Sequence, residues 1–193
     1  MYGYGYVGYG TRVVMALILF LLAAAAVWWW TQTVPVTIPR VEEVSARIAF
    51  PRPLRIDSPE HAITQLDRPD EVVIPHQYAN LVLTFPLSAP ATLAIAAPIP
   101  YGFTRAELVR AICHEYDTVY DIEEATAHTK PLPELLREKV GRNRTDGLYG
   151  IWGHDLSELV CTAVHWTRSS DARVTIRPHV EVLEKPKLDE EAR

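Results

Sequence analysis

Residues 141 to 155, GRNRTDGLYGIWGHD, gather more chemically capable side chains than any other stretch of this chain. Gly147, Gly150 and Gly153 recur at every third position and free the backbone for positive φ or close approach. Tyr149, Ile151 and Trp152 are too apolar for a loop that meets only solvent. The stretch admits two interpretations. It is a tightly folded connection whose aromatic residues pack beneath the following element, with Ile151 or Trp152 acting as a hydrophobic staple. Or it is a binding or catalytic loop, with Tyr149, Trp152 and His154 as its contacts. His154 beside Asp155 has the residue types of a general base and its orienting carboxylate. Neighbours in sequence seldom face each other, however, and Asp155 has a capping role of its own. Arg142 and Arg144 beside a helix N-terminus have the charge for an anion site. The lysine and hydroxyl residue that close a phosphate loop are missing.

His114, Asp117 and Asp121 form a second group, spaced i, i+3 and i+7, with Glu124 near the next turn. An imidazole–carboxylate face of this kind can hold a divalent metal. The H-E-x-x-H arrangement fails, because Thr118 stands where the second histidine belongs. The plain alternative is a solvated polar face opposite an apolar stripe. No serine elbow with its histidine and aspartate, and no Cys/His pair, stands out. The chain calls for no cofactor.

The elements that must position these groups follow from proline placement and periodicity. Eleven of the fifteen prolines fall between Pro35 and Pro100, which excludes long helices there. Residues 31 to 60 are expected to be a proline-rich stalk with a short strand at Arg47 to Phe50. Residues 71–74, 81–85 and 92–96 are strand candidates, rich in β-branched and apolar residues and bounded by turn formers. The bracketing prolines favour edges and irregular pairing.

Thr104-Arg105-Ala106-Glu107 is a capping box. Behind it Leu108, Val109, Ile112, Tyr116, Val119 and Tyr120 recur at helical spacing, predicting a helix to about Ala127. Pro133 to Val140 predicts a second helix closed by Gly141. Asp155 with Glu158 opens a third, whose face is Leu156, Leu159, Val160, Ala163 and Val164. His165 and Trp166 are then its end, a favourable charge and a packed indole. Residues 173 to 183 alternate as a final strand, with Val174, Ile176, Val180 and Val182 of one parity. Residues 184 to 193 form a charged, solvated tail. Strands followed by helices and a last strand define an α+β module over residues 61–183.

Val13 to Trp30 is an apolar run without a charge, about long enough to cross a hydrocarbon core of ~30 Å as a helix. Trp28, Trp29 and Trp30 suit the headgroup layer at its exit. A single-pass anchor is expected, with the bilayer as a partner and nearly everything after residue 40 on one side. Rival interpretations are a cleaved secretory signal, which would leave a secreted soluble binding protein, and a buried core helix. Residues 1 to 12, opening MYGYGYVGYG, are expected to be a flexible Tyr/Gly-rich tail. Charges are too few to orient the anchor. Asn143-Arg144-Thr145 is a sequon, so Asn143 is a glycosylation site if the module is lumenal.

The net charge of −5 is mild and no basic block occurs, which argues against nucleic acid as a partner. Two cysteines do not make a disulfide framework, and Cys113 falls on apolar helix positions.

The runs Gly102-Phe103-Thr104-Arg105, Tyr116, Tyr120, Glu123-Glu124 and YGIWGHD at 149–155 carry a resemblance. Over residues 92–182 the chain resembles a set of small proteins of large DNA viruses of algae and protists, and of plants and fungi. The shared pattern is a strand, a "GFT" helix start, a tyrosine- and glutamate-rich helix and a YGIWGHD loop. The family carries no established activity, so the resemblance implies an architecture and a setting. Together with the apolar run, which lies outside the shared pattern, and the lack of a complete catalytic constellation, it points to a membrane-anchored, non-enzymatic interaction protein, such as a minor capsid or inner-membrane component of a virion, partnered by capsid or membrane-assembly proteins. The alternative is a membrane-tethered hydrolase or metal-dependent enzyme using His154.

Overall fold

The computed structural model describes residues 8–33 and 42–183, in a chain that divides into two units, residues 1–39 and 40–193. In the first unit Gly8–Thr33 forms helix α1. It starts inside the segment expected to be a flexible tail. Once a helix exists, each further residue gains a hydrogen bond, so the apolar run propagates back over Gly8 to Arg12. The described side chains of α1 run from Val14 to Trp29 and stand exposed. Among the described residues no helix is long and apolar enough to cross a membrane. The Tyr-Gly sequence before Gly8, residues 34–41 and the charged tail from Glu184 lie outside the described residues.

The second unit is a mixed α+β domain. In chain order it contains β1 (Val44–Arg55), α2 (Pro59–Thr64), β2 (Val72–Ile74), β3 (Tyr78–Leu83), β4 (Ala91–Ala96) and β5 (Phe103–Thr104). It continues with α3 (Arg105–Thr126), α4 (Glu134–Val140), a 3-10 turn at Leu156–Glu158, β6 (Leu159–Arg168) and β7 (Val174–Val182). Five strands form one sheet in the order β1-β6-β7-β3-β4, and β2 pairs with β5 apart from it. All pairings in the large sheet are antiparallel except β3 with β7.

Two expectations are corrected. Residues 44–55, assigned to a stalk, form β1 and pair with β6; Pro51 and Pro53 fall within a register shift between Ala49 and Leu54. An edge strand with a bulge has room for prolines that a central strand lacks. The third helix is not formed. Its capping residues serve only the 3-10 turn, and Leu159–Arg168 is β6, between β1 and β7. Its apolar run is buried on both faces, at Val160, Cys161, Val164 and Trp166 alike. A strand of that kind loses its alternation and mimics helical spacing. His165 therefore sits at an exposed position toward the end of β6, where its Nε2 lies 2.9 Å from Ser45 Oγ, and not at a helix end. Trp166 is buried, edge-on to His76.

Helix α3 organises the core. Its capping box is complete: Thr104 Oγ1 accepts from Glu107 N at 3.2 Å and Glu107 Oε2 from Thr104 N at 2.9 Å. Leu108, Ile112, Tyr116, Val119 and Tyr120 form its buried stripe, packed with Leu81, Leu83, Ile151, Leu159 and Ile176. Each large apolar side chain so buried contributes ~1.5–3 kcal/mol. Cys113 and Cys161 are both buried and free in this core, where desolvation pushes each thiol up to about 12. The tyrosines of the stripe also fix its surroundings. Tyr116 donates to Phe85 O at 2.8 Å and Tyr120 to His154 O at 3.0 Å.

Candidate functional site

The stripe on α3 ends with a carboxylate. Glu123 lies four residues after Val119 and is fully buried. A buried charge is tolerated only where donors replace its water, and the glycine–aromatic loop supplies them. Oε1 accepts from Thr145 Oγ1 at 2.5 Å, Gly147 N at 2.9 Å and Ile151 N at 3.4 Å. Oε2 accepts from Tyr149 N at 2.8 Å and Gly150 N at 3.0 Å. Burial alone would raise the Glu123 carboxyl, but the bonds from Thr145, Tyr149, Gly147 and Gly150 outweigh it and hold it below its ordinary value. Gly147 is required by the approach, since a Cβ there would lie 2.7 Å from the backbone oxygen of Glu123. Gly150 and Tyr149 are tied from the other side, with Ser88 Oγ donating to Gly150 O and Ala89 N to Tyr149 O.

With its backbone held from within, the loop turns selected side chains outward. Ile151 is fully buried and takes the staple-like position. Trp152 does not; it is 43% exposed, as is Leu148 at 60%. Tyr149 is half-buried against the core. Trp152, His154 and Phe85 form a ring cluster, with Phe85 centroids 5.7 Å from Trp152 and 5.6 Å from His154. Beside the loop a shallow cavity of ≈ 440 Å³ is lined by Ser88, Arg144, Asp146, Leu148 and Tyr149.

The histidine and its sequence neighbour part company. Asp155 Oδ1 accepts from Arg137 Nη1 and Arg142 Nη1, both at 2.7 Å. The carboxylate near His154 is Glu158, whose Oε2 lies 3.5 Å from Nδ1. A half-buried imidazole beside a carboxylate has the composition for proton transfer, with Glu158 in the role expected of Asp155.

Arg142 is not a surface anion ligand. It is buried, spans Asp155 and the Tyr120 ring at 5.2 Å, and has Glu124 at 3.8 Å from Nη2. Arg144 is exposed. Asn143 accepts from Leu132 N at 2.7 Å and donates to Lys130 O at 3.2 Å, so the sequon is part of the loop's own bonding. His114, Asp117, Asp121 and Glu124 are exposed along α3. Among the described residues no group of three or more His, Cys, Asp or Glu side chains is placed to hold a metal.

Glu123 enters the sequence pattern only within the Glu123-Glu124 run of the resemblance, with no role at the site. Its signal is positional: a glutamate at the next turn of an apolar stripe, seven residues after Tyr116, must have donors waiting. No family model matches the chain, and the searches of curated proteins and of solved structures return no match either.

Proposed function

We propose that this chain is a membrane-anchored, non-enzymatic interaction protein whose α+β domain presents the glycine–aromatic loop to a protein partner. Residues 13–30 are its single-pass anchor, on the strength of their uninterrupted apolar sequence. The observation that carries the docking role is Trp152, 43% exposed on a loop whose backbone is bonded to a buried carboxylate. A large aromatic side chain on a pre-ordered backbone binds at low entropic cost, and tryptophan is enriched among the residues that dominate interfaces. Leu148 and Tyr149 extend the contact. The resemblance to proteins of large DNA viruses supports a virion's capsid or inner membrane as the setting of that assembly.

The test is mild detergent extraction from native material, with mass spectrometry of all that co-elutes. Fixed stoichiometry with capsid or membrane-assembly proteins is the expected result, lost in Trp152→Ala while the circular dichroism spectrum is unchanged. Full partner capture by Trp152→Ala would sink the loop's role. The enzymatic alternative is favoured by one observation, the proximity of His154 and Glu158. It requires hydrolytic activity that disappears in His154→Ala with the fold retained.

A further inference from the structure

The two edges of the five-stranded sheet are unlike. β1 carries Pro51, Pro53 and the arginines 47, 52 and 55, all of which blunt an edge against further pairing. β4 reads ATLAIA, without charge or proline. Ala97 N donates to Gln77 O at 2.7 Å, and the register continues through Ala79 with Ile95 and Leu81 with Leu93. By the alternation of an antiparallel ladder, these odd-numbered residues bond β3, and the N–H and C=O groups of Thr92, Ala94 and Ala96 point to the open edge. Their side chains are exposed. Along the same edge lies a groove of ≈ 470 Å³ whose other wall is α3, lined among others by Ile95, Phe103 and Ala111. His114 and Glu115 line it too, and neither side chain makes a hydrogen bond or ion pair among the described residues.

We propose that β4 pairs antiparallel with β4 of a second copy of this chain, about a two-fold axis at Ala94, joining the two sheets into one. In this register Ala94 faces Ala94, Thr92 faces Ala96 and Leu93 faces Ile95, so no like charges oppose each other and the bulky pairs are apolar. Leu93 of each copy then points to the α3 side and enters the other copy's groove. The axis runs the two α3 helices antiparallel over one face of the joined sheet. The same two-fold turns the groove walls that carry His114 and Glu115 toward each other, so an imidazole N–H of one copy can meet a carboxylate of the other, twice over. That reciprocal complementarity selects a second copy over a foreign strand. The pairing uses none of the residues of the glycine–aromatic loop and stands apart from the function proposed above.

The full chain in mild detergent tests it. Light scattering is expected to give a two-copy protein mass, falling to one copy in Ala94→Lys, whose ammonium groups would sit directly opposite each other, with the circular dichroism spectrum unchanged. Because Cys113 and Cys161 are buried, a thiol introduced at the edge is the one that reacts. Facing Cα atoms in a bonded antiparallel pair are ~5.5 Å apart, within disulfide range. Ala94→Cys should therefore link two copies on mild oxidation, and Thr92→Cys, which opposes Ala96, should not. The register comparison decides the matter even if Ala94→Lys fails to fold, and it separates strand pairing from any association through α1. A one-copy mass for the wild type, a two-copy mass for folded Ala94→Lys, or equal linking at positions 92 and 94 would each overturn the pairing.

Discussion

Replacing Glu123 with glutamine keeps its volume and changes one oxygen into an NH₂ group. If Nε2 takes the place of Oε2, the amides of Tyr149 and Gly150 lose their acceptor; if it replaces Oε1, Thr145, Gly147 and Ile151 do. At least two buried donors are stranded, at ~1–3 kcal/mol each. Removing a buried charge offsets part of that cost. A net loss of about 3 kcal/mol is expected, a large share of the ~5–15 kcal/mol that stabilises a typical domain. The loss should be local, because the bonds tie one loop to one helix. Hydrogen exchange of the Gly147 to Ile151 amides measures it directly, with about a hundredfold faster exchange in Glu123→Gln. Glu124→Gln, half-exposed on the same helix, is the control and should change little. Acid supplies an independent arm. The folded carboxyl lies below its ordinary 4.5, so its contribution is complete above that pH and lost as pH falls through the folded value. The wild-type loop should loosen there, while the glutamine variant shows no such transition. Protection in Glu123→Gln within about threefold of wild type would refute the clamp, since ~0.7 kcal/mol is too little for two stranded donors.

Two further outcomes can be checked on the same protein. Gly102→Ala puts a Cβ 2.0 Å from Ile74 O at a residue with φ of +115°, so a loss of ~3 kcal/mol or more is expected in a denaturant titration. An unchanged midpoint would show that β5 and its approach can shift freely. Cys113 and Cys161, each pushed up to about 12, should resist a thiol reagent at pH 8 and both react in denaturant; rapid labelling of the folded chain would contradict their burial.

Much of α3 was legible because several signals agree there. The Thr104–Glu107 box, the four-residue spacing of Leu108, Ile112, Tyr116 and Tyr120, and the stop near Ala127 all point one way. Pro133 and Gly141 bound α4 as expected, and the single parity of Val174, Ile176, Val180 and Val182 gives β7. Leu159 to Arg168 misleads for a physical reason. A strand apolar on both faces has no period of two, and Leu159, Val160, Ala163 and Val164 match a helix by accident. Its β-branched and aromatic content is the remaining clue. β1 was hidden by Pro51 and Pro53, which only the bulge makes admissible. At the site, the aromatic loop was legible but its organiser was not. A hydrogen-bonded backbone leaves no mark on the sequence that supplies it, whereas Glu123 in an apolar stripe does.

Among the described residues the one parallel pairing, β3 with β7, matches Asn80 to Thr175 and Leu81 to Ile176. On one side of it β3 and β4 close a local hairpin; on the other, β6 and β7 do the same across a short turn. Those two pieces can each form with little loop entropy, but their junction closes about 95 residues of chain for two registered pairs. The sheet is thus two short-range modules joined by a long-range seam, with β1 added to β6 across a second one, and the order of assembly is written into it: hairpins first, long-range pairings last. Pulse-labelled refolding should show the other β6–β7 amides protected before Asn80 and Ile176, and simultaneous protection of all of them would mean that the sheet closes in a single step.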